Sequence, residues 1–495
     1  MSSVSPSGPR PIRSRFVGIS ICLGIAVGAI LVRLPWLDRS SYWLDEILET
    51  FTIRDTWLGL WRSLRWQALH APLDYVIRKL FESLDPADWV RRLPGILWGT
   101  GCVCAFGSLV RRRGGEAVGL SAALLLALAP YHVRYSQEVR PYALGLFLLC
   151  CALLTLEAYL AGARRRDLLL FYLCCLATLY TLYLAGVVLA LAAAALLIED
   201  AFDGGPTRRL RARRFLACSP LFIGALAVGY LPWLPIFLKA LHQPPMSTAP
   251  AWSVRRIGRF VSYFGFAPRD AHPWGYADLF FAALLVGGLV IAVRRPRLRF
   301  LIVWGIGGLV FLEFLEHRHP TYDSIFHWLP AGLGLTALAG VALGWILKSR
   351  MWFGVRLALV VLFLSVALHS VSLYFRQGRS DWRPMARFLA RTPSSERLFV
   401  ENQYTQLCLG YYIVGPDWLC CKRIGQREIV NLDGDLLRLM AAWDRTRPAW
   451  LVLAAGPRSE VLRSWASSLP STSFPTAEGD GGGIVCRLGP PAPGR

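Results

Sequence analysis

The chain has 495 residues, of which 55% are hydrophobic and only 17% are charged, whereas soluble domains carry roughly 25% charged residues. This composition excludes an ordinary soluble protein. The formal net charge is +22, which in a soluble protein would suggest nucleic-acid binding, so the location of the basic residues decides what the charge means.

The basic residues are concentrated in short gaps between apolar runs. They form groups at 10–15, 111–113, 164–166, 208–214, 294–299 and 348–356. Short loops rich in Lys and Arg mark the cytoplasmic side of a multi-pass membrane protein. We therefore interpret the positive charge as a topology signal and predict that nucleic acid is not a partner.

Eleven apolar runs are long enough to be membrane-spanning helices, since a helix needs roughly 20 residues to cross about 30 Å of hydrocarbon. The predicted crossings are approximately 16–33, 93–110, 117–133, 142–161, 167–182, 183–200, 215–239, 277–293, 300–315, 325–347 and 353–375. A basic segment precedes the first run, but no small-residue cleavage site follows it. We therefore expect a retained helix rather than a signal peptide.

The stretch 168–198 carries no charge and could form one long helix. However, the arginine groups at 164–166 and 208–214 should lie on the same side of the membrane, which requires two crossings and predicts a turn near 180–183. With a cytoplasmic N-terminus, the segments predicted to lie outside are 35–92, 134–141, the turn at 180–183, 240–276, 316–324 and the chain after about 376. The protein is predicted to lie in the plasma (inner) membrane.

Two external segments are large. The first, 35–92, is dense in Trp, a residue typical of the membrane–water interface, and is predicted to form short helices on the bilayer surface. The second, 376–488, contains more turn residues than the membrane runs and has short apolar runs at 398–400, 409–414 and 449–455, which predict a small α/β or α+β domain.

The predicted domains are a tail at 1–15, a membrane domain at 16–375, this exterior domain and a disordered tail at 489–495. The fold class is thus a polytopic α-helical membrane protein with a small C-terminal extracytoplasmic α/β domain.

The chain contains 12 cysteines, and eight of them lie within or beside apolar runs, where they act as small apolar residues. The other four belong to the exterior domain: Cys408, Cys420, Cys421 and Cys486. One or two disulfides there are consistent with an oxidising compartment, and free thiols are the open alternative. The sequence shows no Walker loop, no GxGxxG after a strand and no HExxH helix, which argues against nucleotide-driven transport and zinc-protease chemistry.

Acidic residues near the predicted interface are candidates for catalysis. Asp45 and Glu46 follow the first helix in a Trp-rich surround; one of them could serve as a base, or could simply cap a short helix starting near Ile47. The external turn 135–142 reads Tyr-Ser-Gln-Glu-Val-Arg-Pro-Tyr. Its Glu138 and Arg140 are candidates for chemistry or for a structural ion pair. His70 is a further candidate, with a structural histidine as the alternative.

Taken in order, several segments resemble the bacterial GT-C glycosyltransferases of the protein O-mannosyltransferase and lipid A aminoarabinose transferase type. They are Tyr42-Trp43-Leu44-Asp45-Glu46, His70-Ala71-Pro72-Leu73-Asp74-Tyr75, Arg91-Arg92-Leu93-Pro94, the 135–142 turn and Asp381-Trp382-Arg383. The resemblance covers roughly residues 30 to 400 of the chain. Members of this superfamily transfer a sugar from a polyprenyl-phosphate carrier to a protein, lipid or glycan hydroxyl on the outer face of the membrane.

The resemblance implies a GT-C fold and roles for individual residues. Asp45 matches the acid regarded as the base, with Glu46 beside it, while Glu138 matches the acid of the second loop and Arg140 the basic residue that contacts phosphate. The same motifs supply the predicted substrate-binding residues His70, Tyr135, Gln137 and Arg383. The chain departs from the pattern at Leu182, where many members have His, and at 319–324, where many have an Arg-Tyr pair.

The chemistry agrees with these assignments. Displacement of a lipid-linked phosphate needs a base for the acceptor proton and a cation for the leaving phosphate, and a single displacement would invert the anomeric carbon. A guanidinium suits bidentate phosphate contact. A divalent metal is an open option, because Asp45, Glu46, Glu138 and His70 are oxygen and nitrogen ligands, although no spacing identifies one. No other cofactor is predicted.

A transporter or lipid flippase is the alternative function. Such proteins place charged residues in the middle of their helices along a pathway, whereas the acids in these apolar runs lie near run ends, as at Glu157, Glu313 and Glu316. The sequence therefore favours a site at the outer interface.

The predicted orientation can be tested with reporter fusions. A reporter that is active only outside the cytoplasm should be active after Arg383 and inactive after Arg209 or Arg297, because the basic loops are retained inside. An inactive fusion at Arg383 would contradict the parity of the predicted helices and would move the C-terminal domain to the cytoplasm.

Overall fold

The protein is described by a computed structural model. The structure describes residues 12–489, with internal gaps. The residues outside the description are 1–11, 36, 38–39, 68–70, 85–86, 243–253, 266–274, 319–324, 378–380, 415–422, 425–426, 434, 445, 454–459, 475–482 and 490–495.

Most of the chain is helical. The helices up to residue 203 are α1 (Ile12–Arg33), α2 (Leu44–Arg54), α3 (Trp57–Gln67), α4 (Leu73–Glu82), α5 (Asp88–Gly114), α6 (Glu116–Leu128), α7 (Pro130–Ser136), α8 (Tyr142–Gly162), α9 (Arg165–Leu179) and α10 (Tyr183–Asp203). The next group is α11 (Pro206–Ala217), α12 (Ser219–Tyr230), α13 (Leu234–Leu241), α14 (Val254–Phe264), α15 (Tyr276–Arg294), α16 (Phe300–Ile302), α17 (Gly308–Arg318), α18 (Leu329–Lys348) and α19 (Phe353–Gln377). Each of the eleven predicted runs therefore contains helix.

Within the described residues, seven helical segments are long and apolar enough to cross a membrane, and nine are if each bent pair counts as one span. The bent pairs are α6 with α7, at 63°, and α11 with α12, at 55°. Of the two other predicted runs, one corresponds to α9, which has 15 residues. The other corresponds to α1, whose described side chains, Ser20–Arg33, form an apolar helical segment. The total of eleven crossings stays a prediction.

The predicted turn near 180–183 is confirmed. Helix α9 ends at Leu179 and α10 begins at Tyr183, so the uncharged stretch forms two helices rather than one. The carbonyl of Tyr180 in this turn accepts a hydrogen bond from the backbone N–H of Leu73 at 2.8 Å. A residue of the first predicted external loop thus contacts the turn.

The chain divides into two compact units. The first, called here the helical unit, comprises Met1–Pro35, Leu64–Ile77 and Arg92–Leu373. The second, called the sheet unit, comprises Trp36–Ser63, Arg78–Arg91 and Tyr374–Arg495. The predicted external loop 35–92 forms short helices, α2 to α4, and contributes residues to both units.

The sheet unit contains a mixed sheet. Its strands are β1 (Arg397–Val400), β2 (Arg423–Ile424), β3 (Arg427–Asn431), β4 (Ala449–Leu453), β5 (Ser471–Phe474) and β6 (Gly483–Leu488), in the order β2-β3-β1-β4-β6-β5. β1 lies parallel to β3 and β4, while the β2–β3, β4–β6 and β5–β6 pairs are antiparallel. Its helices are α20 (Trp382–Ala390), α21 (Gln403–Val414), α22 (Leu436–Ala442) and α23 (Glu460–Ala466).

A hydrophobic core supports this sheet. Phe399 of β1 pairs with Leu451 of β4, which in turn pairs with Cys486 of β6, and all three side chains are buried. The predicted small sheet domain is therefore present; its apolar run 398–400 lies in β1 and its run 409–414 lies in α21. Cys408 and Cys486 are both buried, and burial raises the pKa of the Cys486 thiol to about 11. Cys420 and Cys421 lie outside the described residues.

The helical unit contains a buried ionic cluster at the helix ends that are predicted to face the cytoplasm. Arg113 of α5 contacts Glu157 of α8 at 2.7 Å, Glu199 of α10 at 3.0 Å and Asp200 at 2.8 Å. Arg208 of α11 also contacts Glu157 and Asp200, at 2.6 and 2.7 Å. Because each buried charge has opposite charges around it, the cluster ties four helix ends together.

Removal of Arg113 should destabilise this cluster. Arg113→Ala would leave three buried carboxylates without their shared guanidinium, and breaking a buried pair in this way costs about 3 to 5 kcal/mol. Thermal unfolding of the purified protein in detergent measures the effect. Arg112→Ala is the matched control, because Arg112 is exposed on the same helix; equal changes in the two melting temperatures would contradict a stabilising role for the cluster.

Candidate active site

The Asp-Glu pair lies in the first turn of α2, in the sheet unit. The helix starts at Leu44, earlier than the predicted start near Ile47, and its acidic first turn is favourable near the positive end of the helix dipole. Glu46 is fully buried, and its Oε2 accepts a hydrogen bond from the backbone N–H of Trp43 at 3.4 Å. Asp45 is only partly buried. The structure therefore gives the capping contact to Glu46 and leaves part of the Asp45 surface exposed.

Contacts within the sheet unit hold the residues just before α2. The backbone N–H of Tyr42 donates to the hydroxyl of Tyr412 at 2.5 Å, and the Tyr42 ring packs at 5.9 Å from the ring of Tyr411. The Tyr42 hydroxyl donates to the carbonyl of Asp88 at 3.0 Å. Burial raises the pKa of the Tyr411 phenol, which stays neutral at physiological pH. The start of α2 is thus attached to α21 of the sheet unit.

Arg383 also lies in the sheet unit. Its Nε donates to Oδ1 of Asp381 at 2.8 Å, while the same oxygen accepts the backbone N–H of Arg383 and caps α20. The neighbouring Trp382 donates its backbone N–H to the hydroxyl of Ser41 at 3.0 Å. The structure therefore places the 381–383 motif and the segment leading to Asp45 in one unit.

The turn 135–142 joins α7 to α8 in the helical unit, and all of its residues are buried. Glu138 pairs with Nε of Arg134, one helical turn earlier, at 3.1 Å. Arg140 donates from Nη2 to the hydroxyl of Tyr142 at 3.2 Å and lies 5.4 Å from the centre of that ring. The ion pair that the sequence allowed for Glu138 is therefore made with Arg134.

Two other predicted residues of this turn are held by neighbouring elements. The hydroxyl of Tyr135 accepts a hydrogen bond from that of Tyr263 in α14 at 2.6 Å, and burial raises the pKa of Tyr263, so its phenol keeps the proton that it donates. Gln137 donates from Nε2 to the carbonyls of Arg33 and Pro35, both at 2.8 Å. Tyr135, Gln137, Glu138 and Arg140 are thus brought together in one buried turn.

Arg33 and His132 are two further polar residues beside this turn that the sequence motifs did not indicate. Arg33 is fully buried at the end of α1, and its Nη2 lies 2.6 Å from Nδ1 of His132. The available signal was weak: Arg33 occurs at the end of an apolar run, where arginines commonly flank a membrane helix. Its contact with a residue 99 positions later could not be inferred from spacing.

The described residues contain no group of three or more His, Cys, Asp or Glu side chains arranged to hold a metal ion. His70 lies outside the description, so its predicted role in substrate or metal binding stays a prediction. Asp45 and Glu46 belong to the sheet unit, whereas Glu138 belongs to the helical unit.

Comparisons with known proteins agree with this architecture. Residues 69–228 match the family described as dolichyl-phosphate-mannose-protein mannosyltransferase. The structure is similar to ArnT from Cupriavidus metallidurans bound to undecaprenyl phosphate, with a TM-score of 0.53 and 17% identity over 96% of this chain and 99% of ArnT. The apo form of the same ArnT gives a TM-score of 0.53 at 15% identity, over 97% and 100% of the two chains. Among curated proteins no significant sequence match is found.

The chain has the GT-C fold. It is a multi-pass membrane protein in which the helical unit with the GT-C arrangement is accompanied by a small C-terminal sheet domain. The resemblance drawn from the sequence motifs is thereby confirmed, and the match at 69–228 includes the whole 135–142 turn.

Proposed function

We propose that this GT-C protein is a membrane glycosyltransferase that moves a sugar from a polyprenyl-phosphate carrier to a hydroxyl of a lipid, glycan or protein. The observation that carries the proposal is a buried turn presenting Glu138 and Arg140 within this fold, in a segment that matches the mannosyltransferase family. The proposed site faces the outside of the plasma membrane, in keeping with the basic loops on the opposite side.

Asp45 is proposed as the base that takes the proton of the acceptor hydroxyl. A general base must come within hydrogen-bond distance of that proton, and the partial exposure of Asp45 allows such an approach. Glu46 is less suited because it is fully buried and already accepts the Trp43 N–H. Attack by the acceptor oxygen in one displacement would invert the anomeric carbon.

Arg140 is proposed to bind the phosphate of the carrier, on which negative charge develops as the bond to the sugar breaks. A guanidinium can donate two parallel hydrogen bonds to a phosphate and keeps its charge at all relevant pH values. The Tyr142 ring and hydroxyl orient this guanidinium. Glu138, paired with Arg134, is proposed to shape the same turn, and Tyr135, Gln137, His70 and Arg383 are proposed to contact substrates.

Replacement of Asp45 tests the role of the base. Asp45→Asn should lower the release of free polyprenyl phosphate from a radiolabelled lipid-linked sugar by about 10² to 10⁴-fold, since a general base contributes about that factor. Binding of undecaprenyl phosphate should stay unchanged.

Glu46→Gln is the matched control, because its amide oxygen can still accept the Trp43 N–H and the rate should therefore fall much less. Near-normal turnover of Asp45→Asn together with loss in Glu46→Gln would transfer the role of base to Glu46.

Replacement of Arg140 tests phosphate binding. Arg140→Lys keeps the charge but loses the planar fork, so binding of undecaprenyl phosphate should weaken and transfer should slow, and Arg140→Ala should reduce both further. Arg134→Lys is the control, because an ammonium can still pair with Glu138. If the two lysine variants lost binding equally, Arg140 would have no special role toward the phosphate.

A further inference from the structure

Arg33 occupies an unusual environment at the end of α1. Its side chain is fully buried, and among the described residues no carboxylate lies within ion-pair distance of it. A buried charge is costly unless other polar groups solvate it. The guanidinium must therefore be stabilised by uncharged groups of the helical unit.

Four such groups surround it. Nη1 donates to the carbonyls of Ala29 at 2.8 Å and Ala127 at 3.2 Å, and Nε donates to the hydroxyl of Ser136 at 3.2 Å. Nη2 lies 2.6 Å from Nδ1 of His132. Arg33 thus connects the end of α1 to α6, and also to His132 and Ser136, which lie one helical turn apart in α7.

These contacts determine the proton positions of two side chains. Arginine carries only donors, so Nδ1 of His132 must accept, and the neutral imidazole must carry its proton on Nε2. That nitrogen is buried and has no partner among the described residues. Ser136 accepts from Arg33 and gives its own proton to the carbonyl of His132 at 2.6 Å. The proton positions on His132 and Ser136 are therefore both set by the contacts of the Arg33 guanidinium.

The turn has little room to move away from Arg33. A Cβ built on Gly99 of α5 would lie 2.1 Å from Oγ of Ser136, and one on Gly95 would lie 2.6 Å from the Ser136 carbonyl oxygen. Gln137 meanwhile bonds the carbonyls of Arg33 and Pro35. Residues 136 and 137 are therefore held on two sides, directly before Glu138 and Arg140.

We propose that Arg33 is a positioning residue: by clamping Ser136 and fixing the tautomer of His132, it orients the following turn so that Arg140 meets the carrier phosphate. The proposal rests on the proposed function of Arg140. The Arg33 side chain is completely enclosed, whereas that of Arg140 is 5% exposed, so Arg33 acts through the turn and Arg140 meets the phosphate.

A double-mutant cycle tests this role, because coupled residues give non-additive effects whereas independent residues give additive ones. The dissociation constant for undecaprenyl phosphate is measured for the full-length protein in detergent, for Arg33→Lys, for Arg140→Ala and for the double variant. Arg33→Lys should raise the dissociation constant about tenfold when Arg140 is present and less than about twofold in the Arg140→Ala background. If Arg140→Ala binds too weakly to measure, Arg140→Lys replaces it in the cycle.

Two further variants keep the test decisive. Arg113→Lys changes another buried arginine of the same unit and should lower the melting temperature without changing the dissociation constant. If Arg33→Lys does not fold, Ser136→Ala removes the acceptor of Arg33 Nε and is taken through the same cycle.

The outcomes separate the inference from the proposed function. An equal loss of binding in both Arg140 backgrounds, or a loss in Arg113→Lys as large as in Arg33→Lys, would overturn the positioning role and leave the proposed function intact. Absence of undecaprenyl phosphate binding by the unaltered protein would instead contradict the proposed function. Coupling of the predicted size would support the positioning role.

Discussion

The structure of the helical unit depends on the need to give every buried charge a partner where water is scarce. Two buried arginines have different kinds of partner, charged in one case and uncharged in the other. Arg113 is surrounded by the carboxylates of Glu157, Glu199 and Asp200, whereas Arg33 is surrounded by carbonyls, a hydroxyl and an imidazole. Both arginines lie in the last turn of a helix, so each contact set joins helix ends rather than helix middles.

This constraint explains why the candidate chemistry lies in a turn. Inside a membrane helix the backbone groups bond one another, so they offer no partners to polar side chains. At a helix end the backbone groups are free to form such bonds, and polar side chains are therefore accommodated there. The turn 135–142 follows a bend of 63° between α6 and α7, and its polar side chains bond one another and the end of α1. A buried turn of this kind can present a guanidinium in a defined orientation, which a flexible loop could not do.

The acidic helix α2 is supported differently. It belongs to the sheet unit, in which Tyr42 bonds Tyr412 and Ser41 bonds the backbone of Trp382. The C-terminal sheet domain is therefore structurally connected to the first predicted external loop. A domain that could be read from the sequence as an appendage instead supports the segment that carries Asp45.

The sequence by itself determined the membrane class, the location of the apolar helices, the two-helix interpretation of 168–198 and the motifs that identified the GT-C fold. These features are local, because the length of an apolar run and the charge beside it specify a crossing without reference to the rest of the chain. Even so, the bend between α6 and α7 and the order of the sheet strands were not predictable, since strand order depends on pairing between distant segments.

Only the tertiary structure decided which polar groups are partners. It gave Glu46 the contact with the Trp43 N–H, paired Glu138 with Arg134, and brought Arg33 to Ser136, 103 residues away in the chain. The physical reason is that apolar burial is non-directional and follows from composition, whereas a hydrogen bond forms only at particular distances and angles. Those distances are established only after the helices have packed.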